Sequence, residues 1–245
     1  MSAASRPITF SISALGGQGG GVITDWLVLA ARSAGYLAQA TSVPGVAQRT
    51  GATTYYIEMV PTPWSALGER RPVLALHPGV GDIDVMLASE LLEAGRAVSA
   101  GYVTRDRTLM ISSTARSYLV VEKMAMGDGR YDEARLKTAI AENTQAHLLL
   151  DMDALSRRSG AMVNAVMLGV VAGCGRLPIP IEAFEHAIRA DGKAVEANLR
   201  GFAAGLTAVR DAQRASTPAD VAIVARRPAP EVADLARAIA DLPVS

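Results

Sequence analysis

Ile8-Thr9-Phe10-Ser11-Ile12-Ser13-Ala14-Leu15-Gly16-Gly17-Gln18-Gly19-Gly20-Gly21-Val22-Ile23 is the stretch from which the rest of this chain is read. Ile8 to Leu15 has the apolar character of a strand, and Val22 to Ala34 reads as a helix. Between them stand Gly16, Gly17, Gln18, Gly19, Gly20 and Gly21. A strand that ends in glycines and restarts as a helix brings bare backbone amides and a positive helix end to one point. Anionic groups, phosphates above all, suit such a point. The plainer alternative is a turn needing only positive φ, and a run of this length exceeds what one turn requires.

Two familiar phosphate-binding patterns do not fit. A dinucleotide fingerprint needs glycine at i, i+2 and i+5; Gly17 and Gly19 comply, but Val22 takes the third place. No acidic residue lies between Asp25 and Glu58 to hold a ribose. Gly16 and Gly21 have the spacing of a Walker A loop, yet Val22-Ile23 stand where Lys-Ser/Thr must follow. Dinucleotide binding and γ-phosphate chemistry are therefore disfavoured.

The composition is that of a globular α/β protein. The 245 residues are 50% hydrophobic, ample for a sizeable core. Lys+Arg 24 balance Asp+Glu 24, so the net charge offers no field for nucleic acid or an anionic membrane. Met1 to Pro7 lacks the charged and apolar regions of a secretion signal. The apolar segment Ala161 to Cys174 is shorter than the roughly 20 residues of a membrane span. A cytoplasmic location is expected.

Metal and nucleophile chemistry find few candidates. Cys174 is the single cysteine, whereas an iron–sulfur cluster takes four thiolates. His77, His147 and His186 are far apart in sequence, so no metal site is expected on this chain. Cys174 reads as a small buried hydrophobe. No Gly-x-Ser-x-Gly elbow frames a serine, and no catalytic residue is assigned to this chain alone. Asp82 with Asp84, and Asp151 with Asp153, would each share a face on a strand. Turn and capping roles are the stronger reading for both pairs.

Strands and helices alternate beyond the glycine run. Strands are expected at Tyr36–Ala40, Thr53–Val60, Ile83–Ala88, Thr108–Ile111, Tyr118–Val121 and His147–Leu150, with Ser112-Ser113-Thr114 as a break. Helices are expected at Glu90–Ala100 and Glu133–Asn143, then at Val163–Gly173, Ile181–Ala190 and Val195–Arg210. The segment Met162–Gly173 is apolar nearly all round, which calls for burial, with a partner chain as one cover. Thr217–Pro230 contains three prolines and reads as a linker to a short helix, Glu231–Asp241.

A second unusual stretch is Ser42-Val43-Pro44-Gly45-Val46-Ala47-Gln48-Arg49-Thr50-Gly51-Ala52. Gly-Gly-Gln-Gly after a first strand, with Gly-x-x-x-Arg-x-Gly before a β-rich run, resembles the γ subunit or domain of 2-oxoacid:ferredoxin oxidoreductases. Within that family, Gly45 to Ala52, Ala88-Ser89-Glu90-Leu91-Leu92-Glu93-Ala94-Gly95-Arg96 and Glu122-Lys123-Met124-Ala125-Met126-Gly127-Asp128-Gly129 are similar to the β subunit of indolepyruvate oxidoreductases. The resemblance runs over roughly residues 8–212. It departs at Ala14 and at Thr50, where many members carry glycine, and the bacterial two-subunit enzymes it most resembles tend to have a much longer second half in this subunit.

The resemblance implies an α/β fold: a three-layer, Rossmann-like sheet with flanking helices and a helical C-terminal part. It implies a γ-type domain over 1–213, with 214–245 a linker and short helix at the start of a further domain. It also implies a smaller, cluster-free subunit, inactive alone, of an arylpyruvate (indolepyruvate) ferredoxin oxidoreductase. Thiamine diphosphate, Mg and iron–sulfur clusters then belong to a large α subunit, coenzyme A is the co-substrate, and ferredoxin takes the electrons. Gly16 to Gly21 with Gln18, together with Arg49, Thr50 and Gly51, would form an anion-tolerant surface near the partner's cofactor or a coenzyme A phosphate. A structural ion pair or subunit contact is the alternative for Arg49. A scaffold subunit of another 2-oxoacid oxidoreductase and a stand-alone nucleotide-binding protein remain as rival readings.

Overall fold

The computed structural model describes residues 6–43, 52–69, 72–115 and 132–215. Arg49, Thr50 and Gly51, the expected strand Tyr118–Val121, the stretch Glu122–Gly129 and the linker and helix beyond residue 215 lie outside these residues.

The chain opens with β1 (Ile8–Leu15), α1 (Gly20–Ser33), β2 (Tyr36–Val43) and β3 (Ala52–Pro63). A short α2 (Trp64–Leu67) precedes β4 (Val85–Ala88), α3 (Leu91–Ser99), β5 (Leu109–Ser113), α4 (Glu133–Asn143) and β6 (Ala146–Leu150). The remainder is helical: α5 (Met152–Ser159), α6 (Val163–Gly173), α7 (Ile181–Asp191) and α8 (Val195–Ala215). The sheet order is β2-β3-β1-β4-β5-β6. β1, β4, β5 and β6 run parallel, while β3 is antiparallel to β1 and to β2. This is the expected α/β, Rossmann-like sheet with flanking helices and a helical C-terminal part.

Alternation along the strands builds a core on each face. Phe10, Ile12, Ala14, Ile57, Met59, Val85 and Leu87 point to one side, against α1, α6, α7 and α8. Met86, Ala88 and Met110 point to the other, against α3 and Ile140 of α4. Because both faces of β4 are covered, all four of its residues are buried, as parallel strands require. On β1 the second face carries Thr9, Ser11 and Ser13, all buried and hydrogen-bonded.

Several expectations change in detail. Helix α1 begins at Gly20 rather than Val22, so two glycines lie inside its first turn. Ser112 and Ser113 continue β5 instead of breaking it, because they pair with Leu149 and Leu150 of β6. Residues 152–159 form a helix that the sequence pattern had not shown. Helix α6 is buried by this chain itself: α1, α5 and α8 pack around it, so no partner chain is needed as cover.

Glycines make that packing close. A Cβ on Gly169 would stand 2.0 Å from the carbonyl oxygen of Phe202, and one on Gly205 would stand 2.2 Å from that of Val166. Helices α6 and α8 therefore meet backbone to backbone.

Candidate functional site

The chain leaves β1 toward α1 on one face of the sheet and leaves β4 toward α3 on the other. Neighbouring parallel strands whose connections diverge open a crevice at their carboxyl ends, where α/β proteins place ligands. The Gly16–Gly21 run and the segment Ser89-Glu90 flank that crevice.

The turn is shaped by two left-handed residues, Gly17 at φ 84° and Gly19 at φ 73°. Gly19 caps α1 without any side-chain hydrogen bond, and no acidic residue occupies the first turn. The amides there stay free of a side-chain acceptor, and the helix dipole adds positive potential. Steric demands are separate from φ: a Cβ on Gly20 would stand 2.6 Å from the Tyr55 ring and 2.7 Å from Cβ of Ala14. Ala14 thus lies directly beneath the turn, so its methyl group leaves no room for a side chain at Gly20.

The base of the turn is fixed from two sides. The amide of Leu15 donates to Oε1 of Gln18 at 3.3 Å and to Oγ of Ser89 at 3.2 Å. The Gln18 amide donates to the Leu15 carbonyl at 3.1 Å. The carbonyl oxygen of the Gln18 side chain is therefore engaged in holding the turn. Below it, Ser13 Oγ donates to Oε2 of Glu93 at 2.9 Å, and Arg96 pairs with the other carboxylate oxygen. Glu93 is buried, and these partners balance its charge.

The sequence pattern did not single out Tyr55, Ser89, Glu93 or Asn164 as site residues. Asn164 lies in the first turn of α6, and a Cβ on Gly19 would stand 2.6 Å from its Nδ2. These residues are distant in sequence from the glycine run, and only two of them had a local signal: Ser89 and Glu93 fall within the resembling stretch 88–96.

The acidic pairs do other work. Asp84 accepts from the Thr9 amide at 2.8 Å, from Arg107 Nε at 2.9 Å and from Arg6 at 2.6 Å, while Asp82 pairs with Arg107. This cluster ties β1 to the segments entering β4 and β5, at the opposite end of the strands from the glycine turn. Asp151 caps α5, its Oδ1 accepting from the Ala154 amide at 2.8 Å. Cys174 is half-buried at the end of α6, and burial raises its pKa. Among the described residues no group of three or more His, Cys, Asp or Glu is placed to hold a metal, and no helix is long and apolar enough to cross a membrane. Between α5 and α8 lies an open groove of about 770 Å³, half of whose lining residues are alanine, with Asp151, Arg158, Thr207 and Asp211 among the rest.

A profile of the pyruvate ferredoxin/flavodoxin oxidoreductase family matches residues 9–208. The chain belongs to that family. Indolepyruvate oxidoreductase subunit IorB of Pyrococcus horikoshii is 26% identical over 206 residues, covering 82% of this chain and 95% of the relative. Pyruvate oxidoreductase subunit PORC of Thermotoga maritima superposes with a TM-score of 0.57 at 17% identity, over 83% of this chain and 97% of that one. The 2-oxoglutarate:ferredoxin oxidoreductase of Magnetococcus marinus, solved with 2-oxoglutarate, coenzyme A and succinyl-CoA bound, gives a TM-score of 0.60 at 14% identity. That superposition covers 84% of this chain and 32% of the larger one. In coarse terms the chain is a γ-type subunit of the 2-oxoacid:ferredoxin oxidoreductase kind.

Proposed function

We propose that this chain is the smaller, cluster-free subunit of a thiamine-diphosphate-dependent arylpyruvate (indolepyruvate) ferredoxin oxidoreductase. The complex would convert a 2-oxoacid and coenzyme A to an acyl-CoA and carbon dioxide, passing two electrons to ferredoxin. The single observation that carries this reading is the family match across residues 9–208, and the similarity to an indolepyruvate oxidoreductase subunit directs it toward arylpyruvates. One cysteine in the whole chain cannot ligate a cluster by itself, which supports placing the iron–sulfur clusters, thiamine diphosphate and Mg on a large partner subunit. The chain is inactive alone in this reading, and the complex works in the cytoplasm. The family domain would extend over residues 1–213, although helix α8 itself runs on to Ala215.

Gly16 to Gly21 would present the anion-accepting surface, toward a coenzyme A phosphate or the partner's cofactor. Gln18 would act mainly by shaping the turn. Arg49, Thr50 and Gly51 would add charge and backbone shape to the same surface. Coenzyme A in the Magnetococcus marinus enzyme supports that co-substrate for a protein of the same fold.

The test is co-expression with the large subunit, followed by indolepyruvate-dependent reduction of ferredoxin with and without coenzyme A. Coenzyme A-dependent turnover by the complex, and none by this chain alone, is the expected result. Arg49→Ala is expected to raise the KM for coenzyme A; an unchanged KM removes Arg49 from the phosphate role. A Gly20→Ala complex that assembles and turns over normally would make the loop a scaffold only.

A further inference from the structure

We propose that the segment Glu231–Asp241, which follows the described residues, docks as a short helix in the groove between α5 and α8 of its own chain. The inference stands apart from the functional reading and concerns what covers the open flank of α8.

The groove has the shape and chemistry to receive an apolar helix face. Leu150 and Leu155 form its floor: both pack on the core, and both remain only half-buried where they meet the groove. Ala204, Ala208 and Ala212 recur at i, i+4 and i+8 on its α8 wall, where small side chains let a second helix axis come within about 8–10 Å. The opening measures about 770 Å³, and no described element fills it. Apolar surface gathered in one open groove marks a docking site, whereas the same residues scattered singly would not.

The path of the chain and its sequence name the occupant. Helix α8 ends at Ala215, which itself lines the groove, so the residues that follow start from its rim. Residues 216–230 can stretch to about 50 Å, whereas the α8 wall from Ala203 to Ala215 is about 18 Å long, so reach sets no limit. In Glu231–Asp241, Val232, Leu235, Ala236 and Ile239 fall at i, i+3, i+4 and i+7, one apolar stripe on a helix about 16 Å long. That length matches the wall. A helix this short is marginal by itself in water, so its stripe needs a cover. Glu231 borders the stripe, and Arg158 on the α5 rim is exposed with no acid paired to it among the described residues. Tethering also holds the segment near the groove at an effective concentration of about a millimolar, which a second copy of the chain matches only in concentrated solution.

Hydrogen exchange of the full chain, read by mass spectrometry at several protein concentrations, tests the docking. Amides of residues 233–240 are expected to exchange at least about tenfold more slowly than in an unstructured peptide of the same sequence. Leu235→Asp puts a charge in the apolar stripe without touching the folded domain, and should return those amides to the peptide rate. Ala208→Arg blocks the groove from the α8 wall and should do the same while β1 and β4 stay protected. Thr207→Arg, at an exposed position on that wall, takes its place if Ala208→Arg does not fold. Absence of protection in wild type, or protection that survives the blocked groove, overturns the inference. Protection that appears only as the chain self-associates gives the groove to a second copy and overturns it too. So does protection of α5 and α8 that appears only with a co-purified large subunit, while residues 233–240 exchange freely.

Discussion

Gly17 and Gly20 sit three residues apart and are required for different reasons, which separates their substitutions. Gly17 has open space around it but a φ of 84°, so Gly17→Ala is expected to cost about 1–2 kcal/mol through backbone strain alone. At Gly20 an added methyl group meets the Tyr55 ring and Ala14, so Gly20→Ala must move the ring or the start of α1. Urea denaturation should show the loss for Gly17→Ala, and Tyr55 fluorescence should change only for Gly20→Ala. At the far end of β1, Asp84→Ala strips a charged acceptor from the Thr9 amide, Arg107 and Arg6. A stability loss of about 2 kcal/mol in the same denaturation assay is expected. Burial raises the Cys174 pKa above the ordinary value of about 8.5, so thiolate is scarce at neutral pH. Its alkylation in the native chain should be slow, and should accelerate only as pH passes above the ordinary thiol range or when denaturant exposes it.

Helices α6 and α8 show how an element depends on residues that carry no side chain. Gly169 and Gly205 let the two backbones touch, and a methyl group at either position runs into a main-chain carbonyl that cannot rotate away. The overpacking penalty of about 1–3 kcal/mol exceeds the roughly 1 kcal/mol that alanine gains over glycine in helix propensity. Gly205→Ala should therefore lower the melting temperature despite its better propensity. At α4, Asp132 accepts from the amides of Ala134 and Arg135, so Asp132→Ala should cost about 1 kcal/mol. The α4 and α6 boundaries were legible in the sequence, the first from its amphipathic pattern after Gly127-Asp128-Gly129 and the second from its sustained apolar run. Helix α5 was not, because Asp151, Asp153, Arg157 and Arg158 leave it without a continuous apolar stripe.

At the scale of the whole molecule, the functional reading makes a prediction about company. Affinity purification of the chain from its native source should bring a large thiamine- and cluster-bearing subunit, with broad visible absorption from the clusters. A colourless chain purified without a partner under conditions that preserve assemblies would contradict it. The sheet places the glycine turn and the acid–arginine cluster at opposite ends of the strands, so Asp84→Ala should alter stability while leaving coenzyme A affinity unchanged. Titration of that variant tests whether the two ends are independent.

The sequence alone determined the α/β architecture, since apolar strands, intervening helices and the glycine run at the first strand–helix junction are local patterns. It also pointed to the glycine turn with free amides at the start of α1, because a strand–glycine–helix order has one geometric consequence at the helix start. Only the tertiary structure decided which side chains border that turn. Tyr55 comes from an antiparallel neighbour strand, Ser89 from the end of β4 and Asn164 from a helix far along the chain. The structure likewise showed that Asp82 and Asp84 grip arginines, because Arg6 and Arg107 reach them only after β1, β4 and β5 are aligned. Such groupings arise from packing and strand register between distant segments, and no local periodicity encodes them.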